Sequence, residues 1–201
     1  MQTLKNDPII AVENLTARFG SNTVFTDVSF QVHQGEVLVI AGESGCGKST
    51  LLKIMIGLQK PAAGSVFFKG INIWTADEET LNRYRQNIGV LFQSSALFSS
   101  MTIKENIALP LREYTDLDNN IIDLIVRMKL GMVNLAGYEN HYPAELSGGM
   151  KKRAGIARAM ALDPIVLFFD ELSAGLDPVT AAELDELIIK TNEALGATMV
   201  I

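Results

Sequence analysis

This chain of 201 residues has a single cysteine, Cys46, so no internal disulfide can form. That excludes a disulfide-stapled secreted domain and fits a reducing compartment. Long apolar runs are also missing. None approaches the ~18–20 residues needed to cross a bilayer, so a membrane-spanning chain is not expected. Positive charge is sparse and scattered. Seventeen basic side chains face 23 acidic ones, for a net charge of −6, and no basic block stands out. Bulk charge therefore gives no reason to expect nucleic acid as a partner. The opening residues, Met1-Gln-Thr-Leu-Lys-Asn-Asp-Pro8, carry no apolar leader, so secretion is not expected and the cytoplasm is the default. Neither an internal repeat nor a low-complexity tract is visible.

What the chain does have is a high apolar content, 48%, with a mean hydropathy of +0.20. The apolar residues come in short runs such as Val37–Ala41 and Val166–Phe169. Strands buried on both faces of a parallel sheet read this way. The length suits one large domain, or two small lobes sharing a core.

Val24–Val32 reads as a strand ending in a turn at His33-Gln-Gly35, and Glu36–Ala41 as a buried strand. A helix is expected over about Lys48–Ile56, with Leu51, Met55 and Leu58 on one face and Gly57 as its stop. Gly64–Gly70 and Ile88–Phe92 read as further strands. From Ser94 to about Glu145 the pattern turns helical, with Ile121, Ile122, Ile125 and Val126 spaced for one face and Pro110 and Pro143 as punctuation. This segment is read as a helical lobe inserted into an α/β core. The core resumes with a helix over Gly148–Ala161 and a strand over Ile165–Asp170. A helix from Pro178 to Leu195 follows, with proline suited to its first turn, and a last strand starts at Thr198.

Three motifs carry chemistry. Gly42-Glu-Ser44-Gly45-Cys46-Gly47-Lys48-Ser49-Thr50 fits G-x-x-x-x-G-K-[ST] between a strand and a helix. Gly42, Gly45 and Gly47 let successive N–H groups converge on a phosphate, and the helix N-terminus adds positive potential behind them. Lys48 is expected to reach the β- and γ-phosphates, and the Ser49 hydroxyl to ligate Mg²⁺. Cys46 sits inside this loop, at a helix N-terminus. A small side chain tolerated at a variable loop position is preferred over a redox switch. The second motif is Ile165-Val-Leu-Phe-Phe-Asp170-Glu171, an apolar strand that delivers two carboxylates at its C-terminal edge, where α/β sheets bind ligands. Alone, it is a strand entering a solvated turn. Paired with the upstream loop, Asp170 is expected to hold Mg²⁺ and Glu171 to orient or deprotonate an attacking water. The third is Leu146-Ser147-Gly148-Gly149-Met150. Ser147 caps a helix, and Gly148 and Gly149 leave its N-terminus bare for an anion. The following Lys151-Lys152-Arg153 is read as a solvated helix face rather than a nucleic-acid patch.

Here the sequence resembles the ABC ATPase family, whose signature begins Leu-Ser-Gly-Gly, and the resemblance covers essentially the whole chain. It implies a P-loop NTPase, a RecA-like α/β parallel-sheet core with an N-terminal antiparallel β-subdomain. It also implies an α-helical subdomain over residues 94–145, the core being 1–93 and 146–201. The anion at Ser147 would then be the γ-phosphate of ATP bound to the other subunit, so a head-to-tail homodimer with two composite sites follows. Phe19 resembles the aromatic that stacks on adenine, and Gln93 the glutamine that approaches Mg²⁺ and water and senses a membrane partner. Ser173-Ala-Gly-Leu-Asp177 resembles the loop through which subunits communicate. There are two departures. Leu172 stands where the family has proline, which is expected to loosen that turn. The family histidine that contacts the γ-phosphate belongs beyond Ile201, and neither His33 nor His141 occupies its position. A chain ending at Ile201 is therefore expected to bind ATP and hydrolyse it feebly.

Leu91-Phe-Gln-Ser-Ser-Ala-Leu-Phe98 and Met101-Thr-Ile-Lys-Glu-Asn-Ile-Ala-Leu-Pro-Leu-Arg112-Glu113 look like the Mla-type phospholipid transport ATPases. That implies an integral membrane permease and a lipid-binding envelope protein as partners, with the chain peripheral on the inner face of a bacterial inner membrane. Ala96, Leu97, Phe98, Met101 and Ile103 are candidates for an apolar patch beside Gln93 that meets the permease. The alternatives are a permease for another solute, or a soluble ABC protein acting on nucleic acid or ribosomes. The last usually needs a coiled-coil insertion or a second nucleotide domain, and neither lies within these residues.

Overall fold

The structure, a computed structural model, describes residues 7–201; of the segment read as lacking a leader, residues 1–6 lie outside the described residues. In chain order the elements are β1 (Ile10–Phe19), β2 (Asn22–Val32), β3 (Val37–Leu38), α1 (Lys48–Met55), β4 (Ala63–Phe68), β5 (Ile71–Asn72) and α2 (Glu78–Gln86). Then come β6 (Ile88–Leu91), α3 (Ile103–Tyr114), α4 (Asn119–Met132), α5 (Gly148–Ala159), β7 (Val166–Phe169), α6 (Pro178–Leu195) and β8 (Thr198–Val200). They fall into two units. The first comprises residues 7–85 with Thr198–Val200, the second Gln86–Ala197 with Ile201. Among the described residues no helix is long and apolar enough to cross a membrane.

The sheet of the first unit is built on β1, whose Ile10, Ala11, Val12, Leu15 and Ala17 are buried, while Glu13, Asn14, Arg18 and Phe19 are exposed. The pattern slips at Asn14, whose φ of 48° accompanies a register shift between Val12 and Leu15. That slip interrupts the period of two, which is why β1 was not anticipated. β1 pairs antiparallel with β2 and with β4, and β4 pairs with β5, giving the order β2-β1-β4-β5. Helix α1 buries Leu51, Leu52, Ile54 and Met55. Leu58, expected on the same face, is instead 60% exposed, because the helix ends at Met55 and the chain turns at Gly57 with φ +77°. Tyr84 of α2, also unanticipated, is buried. It donates from Oη to the Met55 carbonyl at 2.5 Å, its ring lies 4.8 Å from that of Phe68, and burial pushes its phenol above the usual range.

The strand expected over Glu36–Ala41 is shorter and more open. Only Val37–Leu38 pairs, parallel with Met199–Val200 of β8, and Val39 is exposed. Among the described residues no second strand pairs with β3, so its apolar side chains lack one flank.

In the second unit β6 and β7 run parallel in the register Ile88↔Val166 through Leu91↔Phe169, and all four residues of β7 are buried. Helix α5 packs hard against β6. A Cβ on Gly89 would fall 2.2 Å from the Ala159 carbonyl oxygen, so no side chain fits there. Helix α3 opens with a reciprocal capping box between Thr102 and Glu105. It continues past Pro110, which was expected to punctuate it. The hydrogen bond lost there is outweighed by the buried face of Ile103, Ile107, Ala108 and Leu111. Buried Asn106 ties the preceding loop down, accepting from Phe98 N–H and donating to the Phe98, Met101 and Thr102 carbonyls. On α4, Ile122, Val126 and Leu130 are buried, whereas Ile121 points out at 45% exposure. The face therefore sits one position away from the spacing expected of Ile121, and includes Lys129, whose buried ammonium pairs with Asp163.

Candidate functional site

The phosphate loop lies wholly in the first unit. Residues 41–46 are exposed, and α1 starts at Lys48 straight after Gly47, whose φ is +107°. A Cβ there would sit 2.5 Å from Val24 Cγ1 and 3.1 Å from Phe25 Cδ1, so both backbone conformation and space demand glycine. The contact also packs β2 against the loop. The β1–β2 hairpin, whose turn follows Phe19, thus stands beside it, and Phe19 is exposed at 53%. Lys48 folds its ammonium back over the loop, donating to the Gly42 carbonyl at 2.7 Å and the Glu43 carbonyl at 2.8 Å. The charge is thereby held at the loop that precedes a helix N-terminus, an arrangement that attracts anions. Cys46 is free and exposed.

The second unit carries the other candidates. Beyond Leu91 the chain turns through exposed Gln93, and beyond Phe169 it reaches buried Asp170 and exposed Glu171. The Asp170 N–H donates to the Leu91 carbonyl at 2.9 Å, extending the parallel ladder by one rung. Gln93 and Glu171 therefore follow the C-terminal ends of two paired strands. Glu171 has a φ of 52°, and Ser95 and Ala96 have 61° and 47°, so both turns hold L-residues in the left-handed region. Leu172, expected to loosen its turn, is buried at 5% exposure and anchors it, and the Ala174 N–H closes the turn onto the Glu171 carbonyl.

Helix α5 links these turns through its cationic side chains, and two of the three residues expected on a solvated face, Lys152 and Arg153, are not solvated. Lys152 is not on a solvated face. It is 5% exposed, and its Nζ donates to the Gln93 carbonyl at 2.6 Å and the Glu171 carbonyl at 3.1 Å. Burial depresses its pKa below the lysine value, opposed by the carboxylates of Asp170 and Glu171. Arg153, also placed on that face, is 12% exposed and pairs with Glu183 at 2.8 Å. Arg158 donates to the Ala96 carbonyl at 2.7 Å and the Ser95 carbonyl at 3.0 Å, and burial depresses its pKa too. The reason is packing. Gly149, Ala154, Gly155, Ile156 and Ala157 are all buried, so α5 is enclosed around most of its circumference. Those small residues were the signal available in the sequence, since cations interspersed among them need partners.

Ser147 caps α5, accepting from the Met150 N–H at 3.3 Å. Gly148 is exposed. Gly149 is buried where a Cβ would come 2.5 Å from Thr180 Cγ2, so the helix end is bare at Gly148 and packed at Gly149. Asp177 caps α6, accepting from the Val179 and Thr180 N–H groups at 3.1 and 3.0 Å and from the Thr180 hydroxyl at 2.6 Å. These bonds hold its carboxyl below the ordinary value. Of the apolar segment after Gln93, Ile103 is core at 0% exposure, while Phe98 is 51% exposed.

A glycine-built loop opening a helix after a parallel strand defines a nucleotide-binding α/β protein of the P-loop class. The sequence profile of the family described as ABC transporter matches residues 25–174, and the chain belongs to that family. It is 46% identical over 192 residues to the probable ribonucleotide transport ATP-binding protein mkl of Mycobacterium leprae, covering 96% of this chain and 55% of that protein. It is 42% identical over 196 residues to the intermembrane phospholipid transport system ATP-binding protein MlaF of Haemophilus influenzae, covering 98% of this chain and 74% of that one. The chain thus spans about half the length of the mkl relatives it matches. Among solved structures it resembles an ATP-binding cassette captured as a dimer in a post-hydrolysis state with ADP and Pi. The TM-score is 0.85 at 32% identity, over 95% of this chain and 86% of that one.

Proposed function

We propose that this chain is the ATP-binding and hydrolysing part of an ABC transporter that moves phospholipid between bacterial envelope membranes. The observation that carries the nucleotide reading is the Gly47–Lys48 junction, where no side chain fits at Gly47 and the Lys48 ammonium is held against the loop carbonyls of Gly42 and Glu43. Gly42, Ser44, Gly45, Cys46 and Gly47 wrap the phosphates, Lys48 neutralises them, Thr50 continues the helix behind them, and Phe19 stacks on the base. The hydroxyl of Ser49, the carboxylate of Asp170 and the amide of Gln93 are hard oxygen donors of the kind Mg²⁺ takes, and would hold it. Bound there, Mg²⁺ would supply charge neutralisation on the phosphate oxygens. Glu171 accepts a proton from the attacking water, and the Gln93 side chain orients that water. Ser147, Gly148 and Gly149 face the γ-phosphate of a second copy in a head-to-tail homodimer. Residues 94–145 act as the lobe that meets an integral membrane permease, through exposed Phe98 among others, at the inner face of the inner membrane.

The lipid reading is supported by the 42% identity to a phospholipid transport protein. A second reading, a permease for another solute, is favoured by the 46% identity to a protein named for ribonucleotide transport. Co-purification of the full-length protein with its membrane partners, followed by identification of bound small molecules, separates them. Phospholipid together with a lipid-binding envelope protein supports the first reading; a solute-binding protein without lipid overturns it.

A further inference from the structure

Two carbonyls from turns far apart in sequence share one buried donor. Lys152 Nζ reaches Gln93 O, 59 residues away, and Glu171 O, 19 residues away. Both turns include L-residues with positive φ, Ser95 and Ala96 in one and Glu171 in the other. Such conformations persist only where their surroundings over-determine them. The Gln93 turn has a further clamp in Arg158, which holds the Ser95 and Ala96 carbonyls. The close approach that lets α5 do this is built in, since a Cβ on Gly155 would lie 2.5 Å from Leu91 Cδ1 and 3.3 Å from Ser95 Cβ. An ammonium has three protons to place when buried, and here two go to main-chain oxygens of the two turns.

We propose that Lys152 is a positioning residue for ATP hydrolysis, fixing the carbonyls of Gln93 and Glu171 to one another so that their side chains keep one spacing about the attacking water. This rests on the assignment of Gln93 and Glu171 to that water made above. Lys152 touches neither substrate nor reacting atoms and acts only through the two turns. Its place on α5 adds a consequence. The helix that presents Ser147 at its N-terminus carries the clamp further along, so a displacement of α5 alters the spacing of Gln93 and Glu171.

The test compares Lys152→Met, Lys152→Gln and Lys152→Arg in the full-length protein assembled with its permease. Lys129→Met is the control, because Lys129 is equally buried at 5% exposure and ion-paired with Asp163 but bonds to neither turn. Lys152→Met is expected to lower kcat on the order of ten- to a hundredfold while the KM for ATP stays within about twofold. Lys152→Arg, which keeps a charged multiple donor, restores most of the rate, and Lys152→Gln falls between. Lys129→Met lowers Tm with kcat unchanged. A wild-type kcat in Lys152→Met, a loss confined to KM, or an equal kcat loss in Lys129→Met overturns the proposal. Should Lys152→Met not fold, equal and wild-type rates in the Gln and Arg variants overturn it. Glu171→Gln is measured alongside. If it keeps rapid turnover, the Glu171 assignment falls and this proposal with it. If it is inactive while Lys152→Met is normal, only the clamp falls.

Discussion

Two lysines in this chain each rest on a pair of main-chain carbonyls, under opposite conditions. Lys48 in the first unit reaches carbonyls five and six residues back in its own exposed loop. Lys152 in the second is buried and joins two turns from distant parts of the sequence. The exposed ammonium can exchange its carbonyls for water or phosphate at small cost, because solvent replaces what is lost. The buried one cannot, since each unmade bond leaves a desolvated polar group. One lysine is arranged to change partners and the other to keep them. That is the division expected between a group that meets a ligand and a group that holds a frame.

The comparison is sharpened by variants with different kinetic signatures. The largest effect is expected from Glu171→Gln in the full-length protein. Turnover should fall by between about 100- and 10,000-fold with nucleotide still bound, trapping an ATP-loaded dimer visible by size-exclusion chromatography. Rapid turnover would remove the second unit from the chemistry. Next, Lys48→Ala should weaken ATP binding roughly 10- to 100-fold, read by calorimetry, with little change in Tm because no buried contact is lost. Unchanged affinity would break the comparison at its first term. Gly47→Ala forces a side chain into a φ of +107° and against Val24. It should cost about 1–3 kcal/mol of stability, measured by urea unfolding, and lose nucleotide binding; a neutral outcome would mean the loop is laxer than described.

The smallest effect belongs to a cap away from either lysine. Asp177→Ala should lower Tm slightly by freeing the first N–H groups of α6. The folded-state pKa of Asp177 is depressed, so its contribution is fully present above the ordinary aspartate value of about 4. It is lost as pH falls through the lower folded value. The Tm difference between wild type and variant should therefore shrink in acid. A difference that grows instead would show that the cap acts as an uncharged group.

Much of this was legible beforehand because it is local. The loop at Gly42–Thr50, the cap Ser147 and the helix over Pro178–Leu195 follow from residues within a few positions of one another, and each lies where expected. β1 escapes a reading by period because Asn14 breaks its pattern, and Leu58 lies off the helix face because α1 ends at Met55 and the chain turns at Gly57. Ile121 was placed inward by a spacing that fits either of two adjacent faces, and only the packing of α4 chose between them.

The sequence by itself determined that this chain is an ABC family protein with a phosphate loop, paired carboxylates after an apolar strand, and a capped glycine-rich helix. Those features are motifs, and a motif is a short-range object whose spacing survives without a fold. The tertiary structure alone decided that Lys152 is a buried clamp rather than a solvated charge, that Arg158 holds the Ser95 and Ala96 carbonyls, and that Val39 is open while Leu172 is anchored. Burial is set by what arrives from elsewhere in the chain, and Lys152 finds its partners 59 and 19 residues away. No window of sequence around it contains that information.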